Sequence, residues 1–469
     1  LAVAANSPTF EFVSPVAYGA GYAVTVLQQP SGQICSLTQD TGIATSPIAN
    51  VALTCTNIVT YTVTPSSDSN GSISPSTIVV VNTGGTQGFV ATPAVGYQID
   101  QWLVDGSPVQ SGGSVYTLSN VTANHTVAVT FAQATLTSSV TGLALAVNCI
   151  PVSSCITMQN SQLTGSPRQI TITNSSALDA TNVVVTPSGL PSDTSISAST
   201  CSGVLQVADS CTITITPGAL TSGDCTTGSA ATPGTIAVSA DNASTVNVDV
   251  VVLSYGCVYQ QGFIYSIDDT TANTGSIGGK AAALNDTVPG QLSPSVGTPN
   301  WGAEGTDIGT SLYDSDPQGA NDGATNTAAI IGALTASFST PPYNASSPLP
   351  FTDYAAGLCI NYGVDSDGNT PCMSGTCYSG WHLPAICELG SSGACASNST
   401  NIQSQLFAAT PTIAALGIVN GGSYWSSSEY TVDPSNAAIY WNFATGGSTA
   451  GPWPKSMVQG IRCARELTQ

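Results

Sequence analysis

Short runs of alternating apolar residues, separated by turn residues, fill the first 256 positions of this chain. Residues 22–26 read YAVTV and residues 126–131 read TVAVTF. A period of two places every second side chain on one face of a β-strand, whereas a helix needs a period of about 3.6. With 469 residues available, the pattern predicts a mainly β fold divided into several short domains.

The charge balance is acidic and almost free of cations. Only 7% of the residues are charged, and 26 Asp and Glu against 5 Lys and Arg leave a formal charge of -21. Soluble domains carry about 25% charged residues, so this surface must consist mainly of Ser, Thr, Asn, Gln and Gly. Nucleic-acid binding needs clustered Lys and Arg, and the first basic residue of the chain is Arg168. The sequence therefore excludes a nucleic-acid partner.

The 14 cysteines are an even number, and several stand close together in pairs. No set of Cys and His has the spacing of a zinc site, so disulfides in an oxidising compartment are predicted. No run approaches the roughly 18 apolar residues that a membrane helix needs. Residue 1 is Leu rather than Met. We expect a protein exported through a secretory pathway, with its signal removed, that is extracellular or on the cell surface and does not span a membrane.

The first predicted domain, residues 1–57, contains the YAVTV run followed by QPSGQIC and VALTC. Alternating runs around a Pro-Gly turn predict hairpins, and Cys35 and Cys55 are placed to join two of the strands. These motifs resemble a bacterial surface repeat with a YxVTV strand, a QPxGQxC turn and a final VxVxC strand.

In the repeat that these motifs resemble, a further β segment precedes the part matched by residues 1–12. That segment is not in this sequence, and two explanations for the difference stay open. Earlier residues can lie outside this sequence, or the domain can lack a strand and accept one from a neighbouring molecule, because an open sheet edge is a template for pairing. In the second case the apolar residues of the segment are polymerisation candidates, namely Leu1, Val3, Phe10 and Phe12.

The second predicted domain, residues 58–133, is a series of short β-rich runs. Asp105 and Gly106 predict a two-residue hairpin, since a type I′ turn needs positive φ angles. The segments ATPAVGY, WLVDG and NVTANHTVAVTF resemble the β-grasp-like B-repeats of bacterial surface proteins. The resemblance implies a spacer, with Trp102 as a core anchor and His125 as a turn residue rather than a ligand.

The third predicted domain, residues 134–256, shows about seven short strands with turns roughly every 8 to 12 residues, which indicates an immunoglobulin-like β-sandwich. Its candidate disulfides join cysteines that are near in sequence: Cys149 with Cys155, Cys201 with Cys211, and Cys225 with Cys257. The last of these pairs would tie the sandwich to the next domain.

The fourth predicted domain, residues 257–469, changes in character. Five of the six Trp lie here, together with the first helix-compatible runs, so we predict an α+β domain. Its motifs are GWHLPAICELG, YWSSSEY, AAIYWNF and GIRCARE. Together they resemble the bacterial branch of the C-type-lectin-like fold that is related to formylglycine-generating enzymes, the sulfatase-modifying-factor-like branch. The resemblance covers most of the domain.

Six cysteines lie in the fourth domain between residues 359 and 463, and they allow fifteen pairings, so spacing leaves their connectivity open. In the fold that the motifs resemble, a helix cysteine joins the last strand. The resemblance therefore favours Cys359 with Cys463, which leaves Cys372 with Cys377 and Cys387 with Cys395.

Three residues of this domain are candidate ligand contacts. Trp453 lies in a Gly- and Pro-rich loop, where a sugar ring can stack on it. Asn442 belongs to a motif related to the Trp-Asn-Asp of sugar-binding lectins, but Phe443 follows it and the lectin Glu-Pro-Asn or Gln-Pro-Asp triplet is absent. The resemblance thus gives no support for calcium-dependent sugar binding. Arg462 either forms a basic spot for an acidic partner or pairs internally with a residue such as Glu429 or Glu466.

One loop has the composition of a calcium site. Asp365, Asp367 and Asn369 alternate oxygen-bearing side chains, with Gly368 for a tight turn. The loop lacks a full EF-hand frame, and a solvated Asx-rich turn explains the same residues. Calcium is the one cofactor that the sequence suggests, and we expect no other.

An enzyme ranks last among the predicted functions. The chain has only His125 and His382, which lie in different predicted domains, and an oxidised Cys387 cannot be a nucleophile. The free active-site cysteines of the related formylglycine-generating oxidases have no match here.

Two non-enzymatic functions fit the sequence. The first is a bacterial surface adhesin, in which β spacers present a lectin-like module to a host or matrix glycan or protein. The second is a subunit of an extracellular filament, a homopolymer in which a strand from the next protomer completes the first domain. The two are compatible, because a fibre can display modules along its side.

Overall fold

A computed structural model of the protein describes residues 1–4, 6–150, 163–288, 290–291, 295–296, 299–310, 318–335, 350–393, 395–396, 400–408, 416–445 and 448–468. The chain is mainly β and multidomain, as the alternating runs predicted. It divides into two compact units, Leu1–Gln133 and Ala134–Gln469. No helix within the described ranges is long and apolar enough to cross a membrane.

The first unit begins with four short strands: β1 (Gly21–Ala23), β2 (Gln33–Thr38), β3 (Thr41–Ile43) and β4 (Ala52–Asn57). β1 pairs with β3 and β2 pairs with β4, so this part consists of two separate two-stranded sheets. Cys35 lies directly opposite Cys55, and the two form a disulfide. A two-stranded sheet is marginally stable by itself, so the disulfide is an important constraint on this hairpin.

Two larger sheets make up the rest of the first unit. Their strands are β5 (Thr60–Ser67), β6 (Gly71–Ser74), β7 (Val79–Asn82), β8 (Gln87–Pro93), β9 (Gln98–Val104), β10 (Ser107–Ser111), β11 (Val115–Leu118) and β12 (His125–Ala132). The strand orders are β10-β9-β12-β5-β7 and β11-β8-β6. Alternate residues of both sheets fill one core, in which Phe89 and Trp102 are fully buried. The prediction of Trp102 as a core anchor is confirmed.

The turn between β9 and β10 is the predicted hairpin. Its φ angles are 50° at Asp105 and 79° at Gly106, as a type I′ turn requires. The Asp105 carboxylate also accepts a hydrogen bond from Thr126 N at 2.8 Å and contacts His125 Nδ1 at 2.7 Å. The prediction that His125 is a turn residue is wrong, because His125 is the first residue of β12.

The second unit begins with a β-sandwich. Its described strands are β13 (Leu136–Ser138), β14 (Gly142–Ala146), β15 (Arg168–Asn174), β16 (Ala180–Ser188), β17 (Ser195–Ser199), β18 (Gly203–Leu205), β19 (Ser210–Thr216), β20 (Gly234–Ala240) and β21 (Ala243–Leu253). The two sheets have the orders β13-β15-β19-β17 and β14-β21-β20-β16-β18. Ile170 and Ile213 of one sheet and Ile236 and Val250 of the other meet in a common core.

Residues 257–469 pack directly on this sandwich. Cys225 and Cys257 form a disulfide. Arg168 is fully buried and pairs with Asp269 at 2.7 Å. Each of these two links joins a sandwich residue to a residue of the following segment. The sandwich and the last part of the chain are therefore one compact unit rather than two free modules.

Disulfides elsewhere in the second unit follow the predicted pairs where both cysteines are described. These pairs are Cys201 with Cys211, Cys359 with Cys463, Cys372 with Cys377, and Cys387 with Cys395. The predicted pair of Cys149 with Cys155 involves a residue outside the described ranges, Cys155.

The C-terminal part of the second unit, called here the C-terminal module, contains short strands and short helices. The strands are β22 (Val258–Tyr259), β23 (Gly262–Asp268), β24 (Gly278–Ala283), β25 (Ser295–Val296), β26 (Val364–Asp365), β27 (Cys377–Tyr378), β28 (Gly422–Glu429), β29 (Ala437–Phe443), β30 (Thr449–Pro454), β31 (Met457–Val458) and β32 (Ala464–Glu466). The helices are α1 (Gln318–Asn321), α2 (Gly323–Thr335), α3 (Ala355–Ile360) and α4 (Ile386–Leu389), with a 3₁₀ turn at Phe351–Asp353 and a π-helical turn at Gln403–Phe407.

Two sheets frame the module, with the orders β22-β23-β24-β32 and β28-β29-β30, and two strand pairs add β25-β31 and β26-β27. Trp381 and Trp425 are fully buried and Trp441 is almost so, as predicted for core residues. The Trp425 ring nitrogen donates to Met457 O at 3.2 Å, which satisfies its polar atom inside the core.

Candidate functional site

The motif at residues 380–390 folds around the carboxylate of Glu388. This residue lies in α4, is 4% exposed and accepts a hydrogen bond from Ala385 N at 2.8 Å. Lys280 Nζ contacts Oε1, and His382 Nε2 lies 3.5 Å from Oε2. Glu388 therefore connects its own motif to β24, which carries Lys280.

The charges of this cluster stabilise one another. Burial alone would raise the pKa of Glu388, but His382 and Lys280 outweigh burial, and the pKa lies below its ordinary value. Burial also acts to lower the pKa of Lys280, yet Glu388 and Glu466 raise it above its ordinary value. Glu388 and Lys280 thus form an ion pair within the module. The pair joins α4 to β24 and therefore has a structural role.

A second ion pair, between Lys455 and Glu429, is completely buried. Lys455 Nζ lies 2.6 Å from Glu429 Oε1, and both side chains have no exposed surface. Lys455 also donates to Thr306 O at 2.7 Å and lies 4.5 Å from the ring centre of Trp301. The Glu429 carboxylate accepts hydrogen bonds from backbone amides, including that of Thr310 at 3.0 Å. Burial lowers the pKa of Lys455 although Glu429 opposes that shift.

The predicted ligand role of Arg462 is incompatible with its position. Arg462 is 1% exposed, and its guanidinium pairs with Asp286 and donates to Leu416 O at 2.7 Å and Ala283 O at 2.9 Å. Tyr424 Oη donates to the other oxygen of Asp286 at 2.6 Å. Arg462 is therefore used internally, with Asp286 as its partner rather than Glu429 or Glu466, and every donor group of the side chain faces the interior.

All basic side chains of the chain are used internally. Arg168, Lys455 and Arg462 are buried as described, and Arg465 is 1% exposed, with its guanidinium 5.2 Å from the Tyr378 ring centre. Lys280 retains 22% exposure of its side chain. The chain has 5 Lys and Arg in total, so its surface has almost no positive charge.

The other two ligand candidates, Asn442 and Trp453, are both half-buried. Asn442 lies in β29 and donates through Nδ2 to Gly421 O at 2.6 Å, so its amide fixes a neighbouring turn. Trp453 lies in the edge strand β30 and is half-buried, with its ring 6.2 Å from that of Tyr440. Trp453 thus lies in a strand rather than in the predicted loop, and its partly exposed side chain packs against the core of the module.

The predicted calcium loop is closed by its own amides. Asp365 is fully buried, and its carboxylate accepts hydrogen bonds from Asn369 N at 2.8 Å and Asp367 N at 3.0 Å. Asn369 Nδ2 also donates to Asp365, at 3.1 Å from Oδ2. These amides lower the pKa of Asp365. In the described part of the chain, no group of three or more His, Cys, Asp and Glu side chains is arranged to hold a metal.

The apolar residues near the start of the chain lie mostly at the surface. Within the described part of residues 1–57, Cys35 and Ala44 are the only buried hydrophobic residues. Of the four polymerisation candidates, Leu1, Val3 and Phe12 are exposed and Phe10 is half-buried. Further large apolar side chains of this segment are exposed, namely Val13, Val16, Tyr18, Leu27, Ile34, Ile43 and Ile48. A contiguous apolar patch, where such residues adjoin, is typical of an interaction site.

A groove of about 440 Å³ lies beside the β1-β3 sheet. Tyr22, Ile43 and residues 45–50 line this N-terminal groove. Residues 46–50 make no hydrogen bond to any other described residue, through either backbone or side chain. These residues lie outside the strands of that sheet, and Pro47 among them has no N–H to donate. Sequence reasoning missed this groove, because residues 45–50 carry no motif and only their spatial position beside Tyr22 and Ile43 shows it.

The solved structures described next resemble the chain remotely. No family model and no curated protein matches the chain. The VesB protease of Vibrio cholerae has 16% identity and a TM-score of 0.18, and the match covers 25% of this chain and 32% of that chain, so it spans about a third of that protein. A fimbrial protein from Bacteroides ovatus has 9% identity and a TM-score of 0.28, over 81% of this chain and 76% of that chain. A protein of unknown function from Porphyromonas gingivalis has 10% identity and a TM-score of 0.19, over 44% and 90%. Likenesses at this level carry no argument about function.

Proposed function

We propose that the chain is a non-enzymatic structural subunit of an extracellular surface assembly, in which residues 1–57 make the contact between copies and a lectin-like C-terminal module is displayed. The observation that carries this proposal is the exposed apolar surface of residues 1–57, which have two two-stranded sheets and almost no core. Contact with a second copy would remove that surface from water, which is favourable at about 25 cal/mol per Å².

Several features support an extracellular, non-catalytic role. The described disulfides fit an extracellular or surface protein, because thiols stay reduced in most cytosols. His125 contacts Asp105, and His382 is 2% exposed beside Glu388, so each imidazole has a structural setting. Both imidazoles of the chain thus lie beside a carboxylate.

The assembly can be tested with the double substitution Phe10→Ser and Phe12→Ser. We expect the unaltered protein to form elongated particles in negative-stain electron micrographs and in light scattering, and the double variant to stay monomeric. Val95→Ser is a matched control, because Val95 is fully exposed in the same unit but lies outside residues 1–57. Unaltered protein that stays monomeric at high concentration, or a double variant that assembles equally well, would contradict the proposal.

An adhesive role is a second candidate function, favoured by the half-buried Trp453 ring beside Tyr440 in an edge strand. Aromatic rings at the surface stack on sugar faces, so a glycan is the ligand class to test. On a glycan array, we expect binding by the whole chain that Trp453→Ala abolishes and Phe351→Ala, at another exposed aromatic residue of the module, leaves intact. Equal binding by the two variants would exclude Trp453 as the contact.

A further inference from the structure

One disulfide of the C-terminal module lies at the surface, where a thiol can reach it. Cys377 is exposed and Cys372 is half-buried, and residues 373–376 between them are exposed as well. We infer that the Cys372–Cys377 disulfide is a reactive site, which captures a partner with an exposed cysteine by thiol–disulfide exchange. The site lies outside residues 1–57, so it does not depend on the contact proposed there.

The other disulfides between described cysteines are better protected. Each of them contains at least one buried cysteine, and the buried ones are Cys35, Cys201, Cys211, Cys257, Cys359, Cys387 and Cys463. The rate of thiol–disulfide exchange depends on access to the sulfur that is attacked. We therefore expect the exchange to begin at Cys372–Cys377.

Opening this disulfide should leave the fold around it in place. It joins residues that are 5 apart in sequence, whereas Cys359 and Cys463 are 104 apart. In the chain-entropy model a disulfide that closes a shorter loop contributes less to stability. β26 and β27 also pair through a hydrogen bond from Ser366 N to Thr376 O at 2.9 Å. The Asp365 carboxylate accepts further backbone hydrogen bonds in the same hairpin.

The exchange needs no reactant besides the partner thiol. The partner's thiolate attacks Sγ of Cys377, and a new S–S bond forms while the bond between Cys377 and Cys372 breaks. Cys372 leaves as a thiolate and takes up the proton that the partner thiol has lost. One disulfide replaces another, so no electrons are gained or lost overall. Because the Cys372 thiol stays in the same loop, it can attack the new disulfide and release the partner, which makes the capture reversible.

The charge of the chain favours one kind of partner. The formal charge is -21, and the Lys and Arg residues are buried except for the partly exposed Lys280. A cysteine flanked by Lys or Arg is attracted to such a surface, and its thiol pKa is lowered, so more of it is the reactive thiolate at neutral pH. We therefore expect a protein partner whose exposed cysteine lies in a basic patch.

The test uses the full chain and two synthetic peptides, each with one cysteine, which is flanked by Lys in one peptide and by Glu in the other. After incubation, N-ethylmaleimide blocks the free thiols, and mass spectrometry of a pepsin digest locates the products. We expect the peptide on Cys377 and maleimide on Cys372. The Lys peptide should react roughly tenfold faster than the Glu peptide at low salt, and the difference should shrink at high salt.

Two variants control for the position of the adduct. Cys372→Ser with Cys377→Ser removes the site, and we expect it to give no adduct. Cys35→Ser with Cys55→Ser removes the disulfide that contains the other exposed cysteine of the described residues, Cys55. This second variant should still form the adduct on Cys377 at the rate of the unaltered chain.

The unaltered chain alone decides the inference, even if a variant fails to fold. An adduct that forms first on Cys55 or on a buried cysteine would overturn it, and so would the absence of any adduct on the folded chain. Equal rates with the two peptides would overturn the basic partner. Assembly through residues 1–57 is measured separately by electron microscopy, so either proposal can fail without the other.

Discussion

At the scale of single residues, the charges of the C-terminal module are used for its interior. Lys455 with Glu429, Arg462 with Asp286, and Lys280 with Glu388 each join segments that are distant in sequence. Sequence analysis placed Arg462 between two alternatives, surface contact and internal pairing. It could not name Asp286 as the partner, because 176 residues separate the two and only the fold brings them together.

The buried pair of Lys455 and Glu429 leads to a stability prediction. Glu429→Gln leaves the Lys455 charge without its partner in a fully buried position, so we expect a loss of about 3–5 kcal/mol in the free energy of unfolding. Chemical denaturation would measure it. Glu466→Gln is the control, because Glu466 contacts Lys280 but its side chain is 57% exposed, and such a surface pair contributes about 0–1 kcal/mol. Equal losses in the two variants would contradict a special role for the buried pair.

The lowered pKa of Glu388 predicts that the free energy of unfolding decreases in acid. A carboxyl group whose pKa is lower in the folded state stabilises the fold above its unfolded pKa, and this contribution is lost as the pH falls through the folded value. We expect the unfolding free energy of the unaltered protein to fall more steeply below about pH 4.5 than that of Glu388→Gln. Denaturation at a series of pH values measures both slopes, and parallel curves would show that Glu388 does not contribute.

At the scale of elements, the sequence predicted a feature correctly where a few neighbouring residues determine it. The Asp105–Gly106 hairpin followed from two residues whose positive φ angles are restricted to few residue types. The π-helical turn at Gln403–Phe407 and the uncovered sheets of residues 1–57 have no such local signal. Those sheets are uncovered because no other element packs on them. The alternation of apolar residues along a strand predicts the strand but not whether another element covers it.

The hairpin can be tested by comparing two glycines. Gly106→Ala forces a non-Gly residue to a φ of 79°, which costs roughly 1–2 kcal/mol, although a new Cβ would meet no atom within 4 Å. Gly88→Ala is the control, since its Cβ would also meet no atom within 4 Å and its φ is not positive. We expect thermal unfolding of the first unit to shift down for Gly106→Ala only. A shift of the same size in Gly88→Ala would show that φ is not the cause.

At the scale of the whole molecule, four of the five Lys and Arg are buried and only Lys280 is partly exposed, so the acidic surface offers almost no site for trypsin. The composition explains this scarcity of trypsin sites only in part. The sequence shows that basic residues are few, but their burial depends on carboxylates and carbonyl groups that the fold places around them. A durable extracellular protein would benefit from such resistance to proteases.

Trypsin digestion tests directly whether the folded chain resists cleavage at its basic residues. We expect the folded chain to remain intact under conditions in which Val432→Lys is cut once, because Val432 is 79% exposed and lies in a turn. Both proteins should be cut at all basic residues after denaturation. Cleavage of the folded, unaltered chain as fast as the variant would show that its basic residues are accessible.

The central claim is that copies of this chain join through residues 1–57. Electron cryomicroscopy of the assembled protein tests it most directly. We expect residues 1–57 of one copy to lie at the contact with the next copy, with Phe10 and Phe12 covered there. A fibre whose copies meet through any other surface, with residues 1–57 facing solvent, would contradict the proposal.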